Sequence, residues 1–189
     1  IRDFSFAHCS KSGAKFDFEK AKWFNHEYLM ATDDAALAEL FKPVLAEHVD
    51  VAQFTDEYIA EAVGTVKNRI NFVKDLWTNA AFYFQAPVEY APKDVKKRWK
   101  EDTPKLMGEL ITVLEGIADF SDAAATEATV MAWIKGNEYH MGNVMNAFRL
   151  TVVGECKGPH MFEITRLLGK EETIARIKRG VEAIHLPNE

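Results

Sequence analysis

Between Thr55 and Phe84 the apolar residues return every three or four positions, as Tyr58, Ile59, Ala62, Val63, Val66, Ile70 and Val73, and the run continues through Leu76 and Trp77. That spacing is one face of an α-helix. Thr55-Asp56-Glu57 ahead of it supplies an N-cap and an acidic first turn. A single long amphipathic helix is therefore expected here, and a stripe of this length must be buried against further elements. Nothing in the chain reads as a hairpin. Ten glycines and six prolines in 189 residues are few, and helix-forming residues dominate, so the fold is read as all-α.

The remaining punctuation marks further helices. Ser10-Lys11-Ser12-Gly13-Ala14 reads as a loop, after which Asp17 can cap a helix carrying Phe18, Ala21, Phe24 and Tyr28 on one side. Thr32-Asp33-Asp34 opens the next, with Leu37, Leu40, Phe41, Val44 and Leu45 as its stripe and Pro43 as the residue that kinks or ends it. Pro87 and Pro92 bracket a break and place a boundary near Pro92. Thr103-Pro104 starts another helix, Ser121-Asp122 opens one that Gly136-Asn137 ends, and a helix over 142–153 stops at Gly154. Pro159 then begins a helix ended by Gly169, and Ile174, Ile177, Val181 and Ile184 mark the last. Two stacked helical subdomains result, with no internal repeat.

Several classes of protein are disfavoured. No stretch approaches the roughly 20 apolar residues of a bilayer span. Ile1-Arg2-Asp3 does not begin a signal peptide, and a soluble cytoplasmic protein is expected. Cys9 and Cys156 stand far apart without CxxC spacing, which reads as two idle thiols. Six histidines form no HxxxH or HExxH, and Glu182-Ala183-Ile184-His185 is one Glu-x-x-His where a di-iron bundle needs two. GxSxG, Walker A and GxGxxG are absent, so no metal, nucleophile or phosphate-cradling site is expected.

The net charge of -6 argues against nucleic acid, because affinity for a polyanion needs cations facing phosphate. The cations nevertheless cluster. Lys93, Lys96, Lys97, Arg98 and Lys100 form one run, and Arg166, Lys170, Arg176, Lys178 and Arg179 enrich the tail. Each cluster is either an RNA-facing patch or a solvated helix face.

One loop stands out, Arg149-Leu150-Thr151-Val152-Val153-Gly154-Glu155-Cys156-Lys157-Gly158-Pro159-His160-Met161. A helix ends at a glycine, a short polar loop follows, and the next helix begins with free N–H groups. Such a loop can hold unpaired bases: the backbone bonds base edges, Arg149 stacks or forks, and Met161 gives apolar contact. The same segment is also compatible with a plain turn between two helices carrying a surface arginine.

Phe148-Arg149-Leu150-Thr151-Val152-Val153-Gly154, Gly158-Pro159, Leu167-Leu168-Gly169-Lys170-Glu171-Glu172 and Arg176-Ile177 resemble the C-terminal signature of bacterial glutamyl-tRNA synthetases. Ser10-Lys11-Ser12-Gly13-Ala14-Lys15-Phe16-Asp17, Lys20-Ala21-Lys22-Trp23-Phe24-Asn25 and Tyr28-Leu29 are similar to the segment after that family's catalytic domain. The resemblance runs from about Ser10 to Ile184. It implies an anticodon-binding region for tRNA(Glu), acting as a monomer. The family's HIGH and KMSKS motifs are not in this chain, so the resemblance implies no catalytic residue here and no cofactor, ATP and Mg belonging to the catalytic domain of the parent enzyme. By the same resemblance Arg149 stands beside the first two anticodon bases, with Gly158, Pro159 and Met161 where backbone and apolar contacts are made. Arg69, placed on the long helix, reads the third base, a task suited to a guanidinium fork. Leu150, Thr151 and Val153 depart from the family pattern, which leaves Thr151 without an implied role.

The expected organisation is a connecting tail over 1–24, a helix-bundle subdomain over 25–91 and a cage-like helical subdomain over 92–189. The alternative is a helical protein–protein module whose partner groove is formed by Trp77, Phe82, Tyr83, Phe84 and Trp99.

Overall fold

The protein is described here from a computed structural model over residues 16–185; the loop expected at 10–14, and Cys9, lie outside the described residues. Those residues form helices and connecting turns without a strand, in agreement with the all-α reading. The helices are α1 (Phe18–Ala31), α2 (Asp34–Leu45), α3 (Asp56–Val66), α4 (Asp75–Phe84), α5 (Pro92–Arg98), α6 (Thr103–Glu115), α7 (Ala123–Gly136), α8 (Met141–Val153), α9 (Met161–Leu168) and α10 (Lys170–Ala183).

The capping signals act where the sequence put them. Asp17, Asp33, Thr55 and Asp122 each accept a backbone N–H of the first turn of the helix that follows. Pro43 lies inside the last turn of α2, which ends at Leu45. Gly154, at φ +94°, ends α8 in the left-handed conformation that a residue with a Cβ adopts only at a cost.

The long helix expected from Thr55 to Phe84 is two helices. After Val66 the chain makes a 3-10 turn, Lys67–Arg69, and Ile70 is extended. The backbone N–H groups of Asn71 and Phe72 then donate to the Asp75 carboxylate at 3.1 and 2.9 Å, and α4 begins. The carbonyls freed by the break are taken by α1: His26 Nδ1 lies 2.7 Å from the Ile70 oxygen, and the Asn25 amide donates to the Asn71 oxygen. A short carboxylate thus competes with the helix for local donors, as Asp does at turns. The apolar period hides the break because Ile70 and Leu76 are both fully buried on either side of it.

Buried residues of all helices from α1 to α10 except α5 belong to one apolar cluster, with Trp99 at the end of α5 among them. The chief packing pairs are α2 on α3, α8 and α6 on α10, and α7 on α9, while α3 and α4 meet α9 across the Pro92 boundary. Arg176 on α10 fastens this crossing. Only 3% exposed, it bonds Glu172 through Nε at 2.7 Å and donates through Nη1 to the Phe82 oxygen at 2.5 Å and the Val152 oxygen at 3.2 Å. Those carbonyls lie in the last turns of α4 and α8, where no intrahelical donor remains.

The stripe read on α1 is not buried: Phe18, Phe24 and Tyr28 are exposed, with Trp23, and only Leu29 of this helix reaches the core. The supposed partner groove is core as well. Tyr83, Phe84 and Trp99 are buried, and Trp77 and Phe82, half-buried, pack against the same cluster, so these aromatics serve chiefly as core. No helix among the described residues is long and apolar enough to cross a membrane.

Candidate nucleic-acid interface

The break between α3 and α4 positions Arg69. Instead of standing on a helix face, it leaves a 3-10 turn and reaches across the Pro92 boundary, where its Nη2 donates to the Gly158 oxygen at 2.8 Å. Two arginines 80 positions apart in the chain are thereby brought to one place, because Arg149, in the last turns of α8, lies against the same residue. Gly158 has φ +136°, and a Cβ there would begin 3.0 Å from Arg149 Nη1. Both the backbone conformation and the close approach of the guanidinium require glycine.

Arg149 is half-buried, and its Nη1 is enclosed without a hydrogen-bond partner. Burial, above all, holds its pKa below the ordinary arginine value, and the like charge of Arg69 adds to the lowering. Arg149 enters no ion pair among the described residues. An arginine in proteins stays protonated. A charged, partly desolvated donor without a protein acceptor is an unfavourable arrangement, and a turn of the side chain that brings it to an acceptor relieves it.

The first half of the loop 154–160 is held by residues 87–94. Gly154 packs against Pro87 and the Glu89 oxygen, each 3.0 Å from where its Cβ would be, and its own oxygen accepts the Ala91 N–H at 2.8 Å. The Cys156 N–H donates to Asp94 Oδ2 on α5 at 2.8 Å. The Cys156 thiol, shielded by burial and facing Asp94, is pushed up to about 11, so it stays neutral at physiological pH. At the far end α9 begins with no side-chain cap, leaving its first backbone N–H groups to whatever approaches.

Pro159 is buried, and Met161 is only 2% exposed. The sequence reading gave Met161 an apolar contact outside the protein. Its side chain is committed to the core instead.

The two basic clusters also part company. In the tail, Arg166 is paired with Glu61 and Glu163, Lys178 with Glu115, and both Arg176 and Arg179 with Glu172, while Lys170 donates to the Ile117 oxygen. That cluster is spent on internal contacts. Lys93, Lys96, Lys97 and Arg98 on α5, and Lys100 just after it, enter no ion pair among the described residues, and all but Arg98 are exposed. α5 packs on α8, and its Asp94 holds the loop that carries Gly158. Among the described residues no group of three or more His, Cys, Asp or Glu could hold a metal ion.

Sequence reasoning missed Asp94 and Ala91, which fix the loop, and Asn25 and His26, which fix the turn carrying Arg69. One signal was available for the first: Asp94 is a single acid inside the run Lys93 to Lys100.

Comparison with known proteins gives the family of the chain. A family model described as an anticodon binding domain matches residues 36–181. The chain is 54% identical over 184 residues to a glutamate–tRNA ligase of Porphyromonas gingivalis and 56% identical to that of Bacteroides fragilis; each match covers 97% of this chain and 36% of the relative. The crystal structure of a glutamate tRNA ligase from Elizabethkingia meningosepticum in complex with its amino acid superposes with a TM-score of 0.86 at 36% identity, over 96% of this chain and 36% of that one. The chain thus spans about 36% of the length of the curated relatives it matches. The chain belongs to the anticodon binding domain family, in the form found in glutamate–tRNA ligases.

Proposed function

We propose that this chain reads the anticodon stem-loop of tRNA(Glu), as the specificity-giving part of a glutamate–tRNA ligase. The observation that carries the proposal is the enclosed, unpartnered Nη1 of Arg149, standing over Gly158 beside Arg69. Unpaired bases present acceptor edges and flat faces, and a guanidinium can fork to the one or stack on the other.

In this reading the subdomain over 25–91 supplies Arg69 to the third anticodon base. The subdomain over 92–189 supplies Arg149 and the Gly158 and Pro159 backbone to the first two, while Met161, read from the sequence as an apolar contact, supports this loop from the core. The bond from Arg69 to the Gly158 oxygen is exchanged for one to the base, so the two subdomains are latched in the free protein and bridged by RNA in the complex. The free cations of α5 lie along the phosphate backbone, which reconciles binding with a net charge of -6. Lys93, Lys96, Lys97 and Lys100 supply affinity, and the two arginines supply discrimination.

Joining glutamate to tRNA would need ATP and Mg. The chain spans about 36% of the length of its relatives, and that chemistry is assigned to the part of the ligase outside it. Correct engagement here raises the residence and positioning of the right tRNA. The test is binding of the chain to anticodon stem-loops at fixed salt. Affinity that is the same for the tRNA(Glu) sequence and for stem-loops changed at any one anticodon base would overturn the proposal.

A further inference from the structure

An acid inside a cationic face is unfavourable for binding a polyanion unless its negative charge is already in use. Asp94 is such an acid: it sits in the first turn of α5 between Lys93 and the Lys96, Lys97, Arg98 group, all of which it would weaken toward phosphate. Its carboxylate is in use. Oδ2 accepts the Cys156 N–H at 2.8 Å, across 62 positions of chain. Three positions before Asp94, the Ala91 N–H donates to the Gly154 oxygen, so the start of α5 grips the loop on both sides of Glu155. Two residues beyond Cys156 is Gly158, whose oxygen holds Arg69 and whose bare Cα lies against Arg149.

We propose that Asp94 is a positioning residue: by holding the Cys156 N–H it fixes the height of loop 154–158, and with it the placing of the Gly158 carbonyl between Arg69 and Arg149. It also joins the cationic helix to the loop, so that phosphates seated on α5 steady the segment that meets the bases. The inference rests on the anticodon-reading proposal above. It differs from a surface-charge role in the sign of its effect. A mere surface acid, once removed, leaves every RNA bound more tightly, because one repulsion is gone. A positioning acid, once removed, leaves the cognate RNA bound more weakly relative to a mismatched one.

The experiment compares the 189-residue chain with Asp94→Ala and Asp94→Asn, the latter keeping a side-chain oxygen as acceptor at the same place. Two readouts are taken: hydrogen exchange of the Cys156 amide without RNA, and binding of the tRNA(Glu) anticodon stem-loop and its single-base variants at fixed salt. Asp94→Ala is expected to speed exchange at Cys156 and to shrink the cognate-to-mismatch ratio by about tenfold, the effect of one charged hydrogen bond. Asp94→Asn is expected to restore most of both. Unchanged Cys156 exchange in Asp94→Ala, or equal tightening of all the RNAs, overturns the proposal. If the unaltered chain itself shows no discrimination, the reading of the anticodon fails, and the role of Asp94 in it fails with it. The exchange result still shows separately whether the loop is held.

Discussion

Arg176 is the side chain whose loss should be felt most. Arg176→Met keeps most of the aliphatic volume while removing the charge and every donor. The Val152 carbonyl, in the last turn of α8, then faces a dry interior without a partner, and the part-buried Phe82 carbonyl, in the last turn of α4, loses its donor. Each buried acceptor left unsatisfied costs on the order of 1–3 kcal/mol. Glu172 adds little, since it is partly exposed and keeps Arg179 at 3.0 Å. Against the loss stands the desolvation of the guanidinium, which already lowers its pKa in the folded protein and is relieved by methionine. The balance is a destabilisation of about 3 kcal/mol, at the low end of what breaking a buried ion pair costs. At 2–4 °C per kcal/mol this is a fall of roughly 6–12 °C in Tm. The assay is urea unfolding, read as a lower midpoint at unchanged slope, with Arg166→Met as the control. Arg166 pairs with Glu61 and Glu163 where all three are part-exposed, and its loss should cost under about 1 kcal/mol. If Arg176→Met is as stable as the unaltered chain, the carbonyls are satisfied in some other way and Arg176 does not fasten α10 to α4 and α8.

Three further outcomes follow from the same contacts. Burial pushes the Glu172 carboxyl up, but its bonds and charge interactions with Arg176 and Arg179 outweigh this and hold its pKa below the usual value. Its stabilising effect is therefore full above the unfolded glutamate pKa of about 4.3 and is lost as pH falls through the folded value, and Glu172→Gln should flatten that acid limb in pH-dependent unfolding. Gly154→Ala must adopt φ +94° and meet Pro87 and the Glu89 oxygen, so chemical denaturation should show a loss of about 1–3 kcal/mol. Replacing Lys93, Lys96 and Lys97 by Gln should weaken all stem-loops alike and reduce the salt slope of binding by about 0.7 for each lysine that meets phosphate, whereas Lys178→Gln should leave that slope unchanged.

Much of the frame was legible because helix ends are written locally. Asp17, Asp33, Thr55 and Asp122 cap helices by contacts within three residues of themselves, and Gly154 stops α8 through its own backbone freedom. The break at 67–74 was not legible. The stripe keeps its phase across it, and the groups that stabilise it include Asn25 and His26, more than 40 positions away. The tail cations failed for a similar reason: Arg166 meets Glu61 and Lys178 meets Glu115 only once the chain is folded, so a cluster that looks free in sequence is neutralised in space. Met161 shows a different error, a core residue taken for a surface contact, while the apolar side read on α1 is a helical face that the fold leaves largely exposed. The two arginines were singled out from a resemblance. Their meeting at Gly158 is a property of the fold that no spacing in the chain announces.

The central claim is that Arg69 and Arg149 read bases and do not merely neutralise phosphate. The most direct measurement is binding of Arg69→Ala and Arg149→Ala chains to anticodon stem-loops differing at one base, at fixed salt, with circular dichroism showing that the helices survive. Each substitution should cost on the order of 1–3 kcal/mol for the cognate anticodon and much less for the mismatched one, Arg69→Ala relaxing discrimination at the third base and Arg149→Ala at the first two. Equal losses across all the stem-loops, with a salt slope lowered by about one contact, would mean that these arginines hold the RNA without reading it.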